Sequence, residues 1–303
     1  VRTIAVSSFS LHRVLGPLYL ESRGADGEYA DVQFPFPREH SLEEFAVLAR
    51  ERFGVDAVEL CQIQFDSTSD ERLAALAAAL RTAGVRVLTV PIDIGDLAGG
   101  SAAERAEDVV RIERWFTIAA RLGATYVRVN TGSPTEGGTA DDRAGLVAAL
   151  RGLASSAEAL GLRLLVENHG GASSDPEYLL ALREEVGPEH LGILLDLGNF
   201  EPLVTISHAR FGGMAPPDAG LDLEPVYDKI ARLAPVATLV HAKAYDLASD
   251  GSPLLDLKRA LRIVADTGYE GPFSIEWEGV TGDPWVRTGE TLAVVREAFP
   301  TPG

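Results

Sequence analysis

The sequence predicts an α/β chain of one domain, eight strand-and-helix units closed into a (β/α)8 barrel over residues 1–303. Three observations predict it. Short apolar, β-branched runs recur eight times with helical patterns between them. Each run is nearly unbroken in apolar residues, as strands of a parallel sheet covered on both faces must be. Glycines at 84, 123, 161, 187 and 268 fall just past a helical pattern and before a strand. Glycine there relieves the left-handed helix end and keeps the link short.

The strands are expected at Thr3–Ser7, Ala57–Leu60, Val85–Val90, Tyr126–Asn130, Leu162–Val166, Gly192–Leu195, Val236–Val240 and Phe273–Ile275. Ser41 opens the first helix as N-cap, with Glu44 three residues on. Ser69 or Asp70 starts the second, and Leu73, Leu76, Ala77 and Leu80 carry helical spacing. The third runs roughly over 102–122 and the fourth over 141–160. Asp175-Pro176 opens the fifth, with Pro at the first helical position. The others fall near 222–233, 254–267 and 284–298. An open doubly wound sheet is the alternative to a TIM barrel, but no GxGxxG follows the first strand. No interdomain linker is seen.

Two strand-to-helix links are long: Leu15–His40, with Tyr19, Tyr29, Phe34 and Phe36, and Phe200–Gly220, rich in Gly and Pro. Barrel enzymes build their sites on this side, and links of such length are uncommon unless functional or disordered. The aromatics favour a pocket wall or lid over a plain surface excursion.

Composition narrows the partners. Apolar residues make up 46% and charged residues 24% of the chain, and the formal net charge is −18. A polyanion without a Lys/Arg run is repelled by nucleic acid and anionic lipid, so neither is an expected partner. No apolar run is long enough for a membrane span. Val1-Arg2-Thr3-Ile4 reads as the first strand rather than a signal peptide. Cys61 is the one cysteine, which excludes an intrachain disulfide and a cysteine-based metal site. The expectation is a cytoplasmic protein, compatible with a homo-oligomer.

The chemistry lies at the strand ends. The fifth strand ends in Glu167-Asn168-His169-Gly170-Gly171, the sixth in Asp196-Leu197-Gly198-Asn199, the seventh in His241-Ala242-Lys243 and the eighth in Glu276-Trp277-Glu278. In a closed barrel, Glu167, Asp196, His241 and Glu276 can converge on one point. Such groups repel or titrate unless a cation joins them. Three oxygens and one nitrogen favour one divalent ion: Mn, Mg, Co or Zn. Taken singly, an acid after a strand is usually a helix cap, and a histidine there a hydrogen-bonded structural group. Four together, each after a buried run, are hard to explain by structure alone, because an unpaired buried charge is costly.

At VENHGG, LDLGNF, VHAKAYD and SIEWEG the chain resembles the xylose-isomerase-like barrel superfamily, the sugar phosphate isomerase/epimerase group. The resemblance covers nearly the whole chain. It implies that Glu167, Asp196, His241 and Glu276 share one catalytic metal. It also implies that Glu167 and Glu276 face each other across a sugar, one removing a proton from carbon and the other returning it through an enediolate. Lys243, two residues past His241, can point the same way. It would neutralise an oxyanion or pair with Glu278 or Asp246. His169 would bind a hydroxyl, shuttle a proton or cap the Gly-Gly turn. Asn199, Asn130, Glu278 and, more weakly, His12 are substrate-binding candidates. Glu59, inside the second strand, would support a ligand or join an ion pair.

The chain also departs from its relatives. Ketose 3-epimerases carry a His where Asn199 stands, and a different tail after the strand-five Glu. Xylose isomerases are longer and hold a second metal, and endonuclease IV needs a His-rich three-metal cluster. The leading expectation is a metal-dependent isomerase or epimerase acting on a small-molecule sugar or cyclitol. A lyase or hydrolase on the same scaffold, dehydrating an inosose or cleaving a C-glycoside, is the alternative. A non-catalytic sugar-binding subunit is third.

Overall fold

The structure, a computed structural model, describes residues 2–24, 27–132 and 140–300. Val1, read above with the first strand, lies outside them. The strands are β1 Ile4–Ser7, β2 Leu18–Arg23, β3 Tyr29–Phe34, β4 Ala57–Glu59, β5 Arg86–Ile92, β6 Tyr126–Val129, β7 Arg163–Glu167, β8 Leu191–Asp196, β9 Ala237–Ala244 and β10 Phe273–Trp277. The helices are α1 Leu42–Phe53, α2 Asp70–Ala83, α3 Ala102–Arg121, α4 Ala140–Ala159, α5 Pro176–Val186, α6 Leu203–Phe211, α7 Glu224–Leu233, α8 Leu257–Asp266 and α9 Pro284–Ala298. Eight strands close in the order β1-β10-β9-β8-β7-β6-β5-β4. Every pairing in the ring is parallel, and Val6 opposite Val58 seals it. The protein is a (β/α)8 barrel, as the alternation predicts.

Helix starts follow local chemistry. Ser41 Oγ accepts from Glu44 N at 3.2 Å, and Glu44 Oε2 accepts from Ser41 N at 2.7 Å, the reciprocal cap that satisfies two orphan donors. Ser101 and Glu104 repeat it on α3. Gly84 ends α2 at φ 64°, a conformation a side chain resists.

Strand residues alternate between two cores. Val129, Val166, Leu195, Val240 and Ile275 join the large core beneath the helices. Ala5, Ala57, Leu88, Leu165, Leu194 and Leu239 form a separate cluster inside the barrel. With a side-chain period of two, the next inward positions up four of these strands are Glu59, Glu167, Asp196 and His241. The polar layer thus sits on an apolar plug.

The two long links are more ordered than a loop reading implies. Leu15–His40 contains the antiparallel β2–β3 hairpin, with Leu18 opposite Phe34 and Leu20 opposite Val32. Phe200–Gly220 contains α6. Its glycines and prolines flank the Leu203–Phe211 stretch, which has none, so the average composition hid a helix. No helix among the described residues is long and apolar enough to cross a membrane.

Candidate active site

Glu167 and Asp196 end their strands, Glu276 is one residue short of the end of β10, and His241, three residues inside the longer β9, stands level with Asp196 by register, so barrel closure brings the four together. His241 Nδ1 lies 3.5 Å from Asp196 Oδ2, 3.5 Å from Glu276 Oε2 and 3.8 Å from Glu167 Oε1. All four residues are buried, Asp196 at 0% and Glu276 at 7% exposure. Their contacts are arranged to leave one face free. Asp196 Oδ1 accepts from Gly198 N at 2.7 Å and Asn199 N at 3.0 Å, while Oδ2 has no aligned hydrogen bond and faces Lys243 Nζ at 3.2 Å. His241 Nε2 meets Glu59 Oε2 at 2.9 Å, and Nδ1 has no hydrogen-bond partner. A buried imidazole nitrogen that faces three carboxylates and makes no hydrogen bond is unusual in native proteins. A divalent cation ligated by these oxygens and one imidazole nitrogen would satisfy them, so the residues fit the expected ion.

Electrostatics agree. Burial lowers the His241 pKa, but Glu59 and Glu276 outweigh it and hold it well above the usual histidine range. A proton on this ring does for the acids what a cation would do. Burial raises the Glu167 pKa above the carboxylate range, with Arg128 and His241 opposing. Burial acts the same way on Glu276 and Asp196, but Lys243 and His241 outweigh it and both are lowered.

Lys243 sits among the acids. Its Nζ is 2.7 Å from Glu276 Oε1 and 3.2 Å from Asp196 Oδ2, and it also pairs with Glu278. Of the two partners expected for it, Glu278 holds. Asp246 does not, because its carboxylate receives Val280 N and Thr281 N. Asn199 bridges, accepting from Lys243 Nζ at 3.0 Å and donating to Glu167 Oε1 at 3.1 Å. Lys243 thereby connects the two glutamates. Ser207 of α6 donates to Glu278.

Asn199, Lys243, Glu276 and Glu278 floor a cavity of about 510 Å³ that also exposes Asp93, Arg128, Asn130 and His169, while Glu167, Asp196 and His241 lie beneath its lining. Its opposite wall is apolar: Phe9, Leu18, Leu20, Phe34, Ile63 and Phe211. Leu18, Leu20 and Phe34 share one face of the hairpin, as its register requires. Tyr19 and Tyr29 lie on the other face. Tyr29 stacks under Arg23 and Arg111 beside α3, so only part of the expected aromatic wall meets the cavity. A larger cavity of about 650 Å³ lies beside Trp277, Leu254 and Val294 and contains none of the four expected ligands.

The remaining candidates divide. His169 lines the cavity; burial, then Arg128, lowers its pKa. The Gly-Gly turn is tied by Ser173 Oγ, which accepts from His169 N and donates to Gly170 O, both at 2.8 Å. The imidazole is not its cap. Asn130 lines the cavity with its amide committed to Asp93 and Arg128. His12 is placed differently from expectation. It is 0% exposed, with Nδ1 2.7 Å from Phe9 O. Its ring packs on Phe9, Phe36 and Phe211 with centroids 4.9, 5.1 and 4.9 Å away. It is absent from the cavity lining, and backs the wall because the hairpin and α6 close over it. Burial chiefly lowers its pKa to about 4.

Sequence reasoning missed Arg128 and Asp93. The signal for Arg128 was a charge inside the apolar run Tyr-Val-Arg-Val; Asp93 is the first acid after Val-Pro-Ile.

Comparisons with known proteins agree with this architecture. Over 90 residues the chain is 36% identical to the C-glycoside deglycosidase alpha subunit of Arthrobacter globiformis, a stretch that is 28% of this chain and 23% of that protein. The chain thus spans under a quarter of that relative's length. L-ribulose 3-epimerase superposes with TM-score 0.66 at 18% identity, covering 98% of this chain and 96% of that one. The IOLI protein, solved with a binding zinc atom, superposes with TM-score 0.66 at 14% identity, covering 99% and 100%. At these identities the likeness is one of fold. The model of the family described as xylose isomerase-like TIM barrel matches residues 47–298, and the chain belongs to that family.

Proposed function

We propose that the protein is a divalent-metal-dependent isomerase or epimerase acting on an uncharged sugar or cyclitol. The observation that carries this reading is the convergence of three carboxylates within 3.8 Å of the unpartnered His241 Nδ1. Glu167, Asp196, His241 and Glu276 would hold the ion. When bound there, it would polarise a substrate carbonyl and stabilise the negative charge left by proton removal from the neighbouring carbon. The chain's own residues would do the rest. One of Glu167 and Glu276 takes a proton from carbon and the other returns one. Lys243, held by Glu276, Glu278 and Asn199, stands ready to offer a proton or positive charge to a substrate oxygen. Asn130 and His169 contact hydroxyls from the floor, and the apolar wall keeps water away. The two strong cations of the floor, Arg128 and Lys243, are outnumbered by the acids paired with them, so the floor offers no excess positive charge to a phosphate dianion. That supports an uncharged substrate.

A second reading, a lyase that eliminates a substituent after the same proton abstraction, is favoured by the wall. Phe9, Phe34 and Phe211 leave apolar space beside the floor, which suits a substituent less polar than sugar. The resemblance to a protein named for C-glycoside deglycosidation supports it. Incubating Mn-loaded protein with ketoses, inososes and oxidised glycosides in heavy water tests both. Deuterium at carbon with conserved substrate skeleton identifies isomerisation; loss of water or an aglycone identifies elimination. No exchange with any of them would count against both.

A further inference from the structure

Glu167 is restrained by a group with no place among the four ligands. Arg128 Nε lies 2.7 Å from Glu167 Oε2, and Arg128 is 5% exposed. The contact is an ion pair off the N–H axis, since neither atom has an aligned hydrogen bond. At its other end the same guanidinium donates to Asp93 Oδ1 and, at 3.1 Å, to Asn130 Oδ1. Asp93 is itself fixed. Its Oδ1 also accepts from Asn130 Nδ2 at 3.0 Å, and its backbone N donates to Gln62 Oε1 at 3.2 Å. A guanidinium is planar and rigid, so anchoring Nη1 on Asp93 fixes the direction of Nε. The other oxygen of Glu167, Oε1, is 3.1 Å from Asn199 Nδ2 and 3.8 Å from His241 Nδ1.

We infer that Arg128, anchored by Asp93, is a positioning residue for Glu167. It occupies one carboxylate oxygen and turns the other toward His241 and the ion. The inference rests on the metal-dependent reading above and adds the requirement that Glu167 be oriented from β6. Charge alone is insufficient on this account, because an ammonium cannot span Asp93 and Glu167 as the fork does.

Manganese ion alone is the probe. Its affinity is measured by titration calorimetry on the wild type, Arg128→Lys and the charge-conserving double variant Asp93→Asn/Arg128→Met, with melting temperature recorded for each. Arg128→Lys keeps the charge. The double variant removes Arg128 together with its anchoring acid and leaves the net charge unchanged, a kind of change that folds often tolerate. Both are expected to bind Mn about tenfold or more weakly, as when a ligand's outer partner is lost. A purely structural pair would lower the melting temperature and leave the Mn affinity of folded protein unchanged. Wild-type affinity in either folded variant overturns the inference and leaves the metal reading intact. If the double variant does not fold, Arg128→Lys decides. A wild type that binds no Mn sinks both together.

Discussion

Glu59 Oε2 lies 2.9 Å from His241 Nε2, joining two inward residues 182 positions apart with exposures of 0% and 1%. A carboxylate on one ring nitrogen fixes the tautomer and aims the other nitrogen. Glu59→Gln is therefore expected to weaken Mn binding about tenfold to a hundredfold, while Glu59→Asp, with a shorter reach, falls between. Titration calorimetry checks this; an unaltered dissociation constant would show that His241 needs no orienting partner.

Ion binding should also register as stability. A ligand at a hundred times its dissociation constant adds about 2.7 kcal/mol to a state that alone binds it. Mn or Zn at saturation is expected to raise the melting temperature by several degrees, and chelator to reverse it. Glu167, Asp196, His241 and Glu276 would each lose most of that rise on substitution by Ala.

Glu276→Gln keeps the shape of the side chain and removes its charge. If Glu276 transfers a proton, turnover on whichever substrate exchanges deuterium falls about 10²- to 10⁴-fold with the fold retained. A non-catalytic sugar-binding subunit predicts no change in any measured function. Circular dichroism and the exchange rate together separate the two.

Gly198 is packed against the site. A methyl group there would stand 2.6 Å from Tyr245 Oη and 3.0 Å from Lys243 Cδ. Gly198→Ala is expected to cost roughly 1–3 kcal/mol, as overpacking does, and to move Lys243 off the Glu276 and Asp196 oxygens. Unfolding in urea, with wild-type stability as the contrary result, tests it.

His12 supplies a pH signature. Its pKa in the fold is about 4, below the ordinary 6.5, chiefly through burial. Between these values the unfolded chain binds more protons than the folded one, so this contribution to stability grows as pH rises through the window. It is fully present above the ordinary value and lost as pH falls toward 4, a difference of roughly 3 kcal/mol. His12→Phe should flatten that part of the stability curve relative to wild type. Parallel curves for the two proteins would remove His12 as the cause.

The barrel, and four strand-end residues that meet inside it, are legible in the sequence alone. Both follow from local periodicity: apolar runs mark buried strands, and Glu167, Asp196, His241 and Glu276 each directly follow one. Glu59 was visible only as an acid in an apolar strand, with its role left open. Closure of the ring settles the rest. The pairing of Glu59 with His241, and of Arg128 with Glu167 and Asp93, depends on which inward residues face each other across a closed ring. A chain read in one dimension carries no such distances. The hairpin and α6 escaped for a related reason. Their order comes from packing over His12 and against α3, a tertiary stabilisation that local composition does not encode.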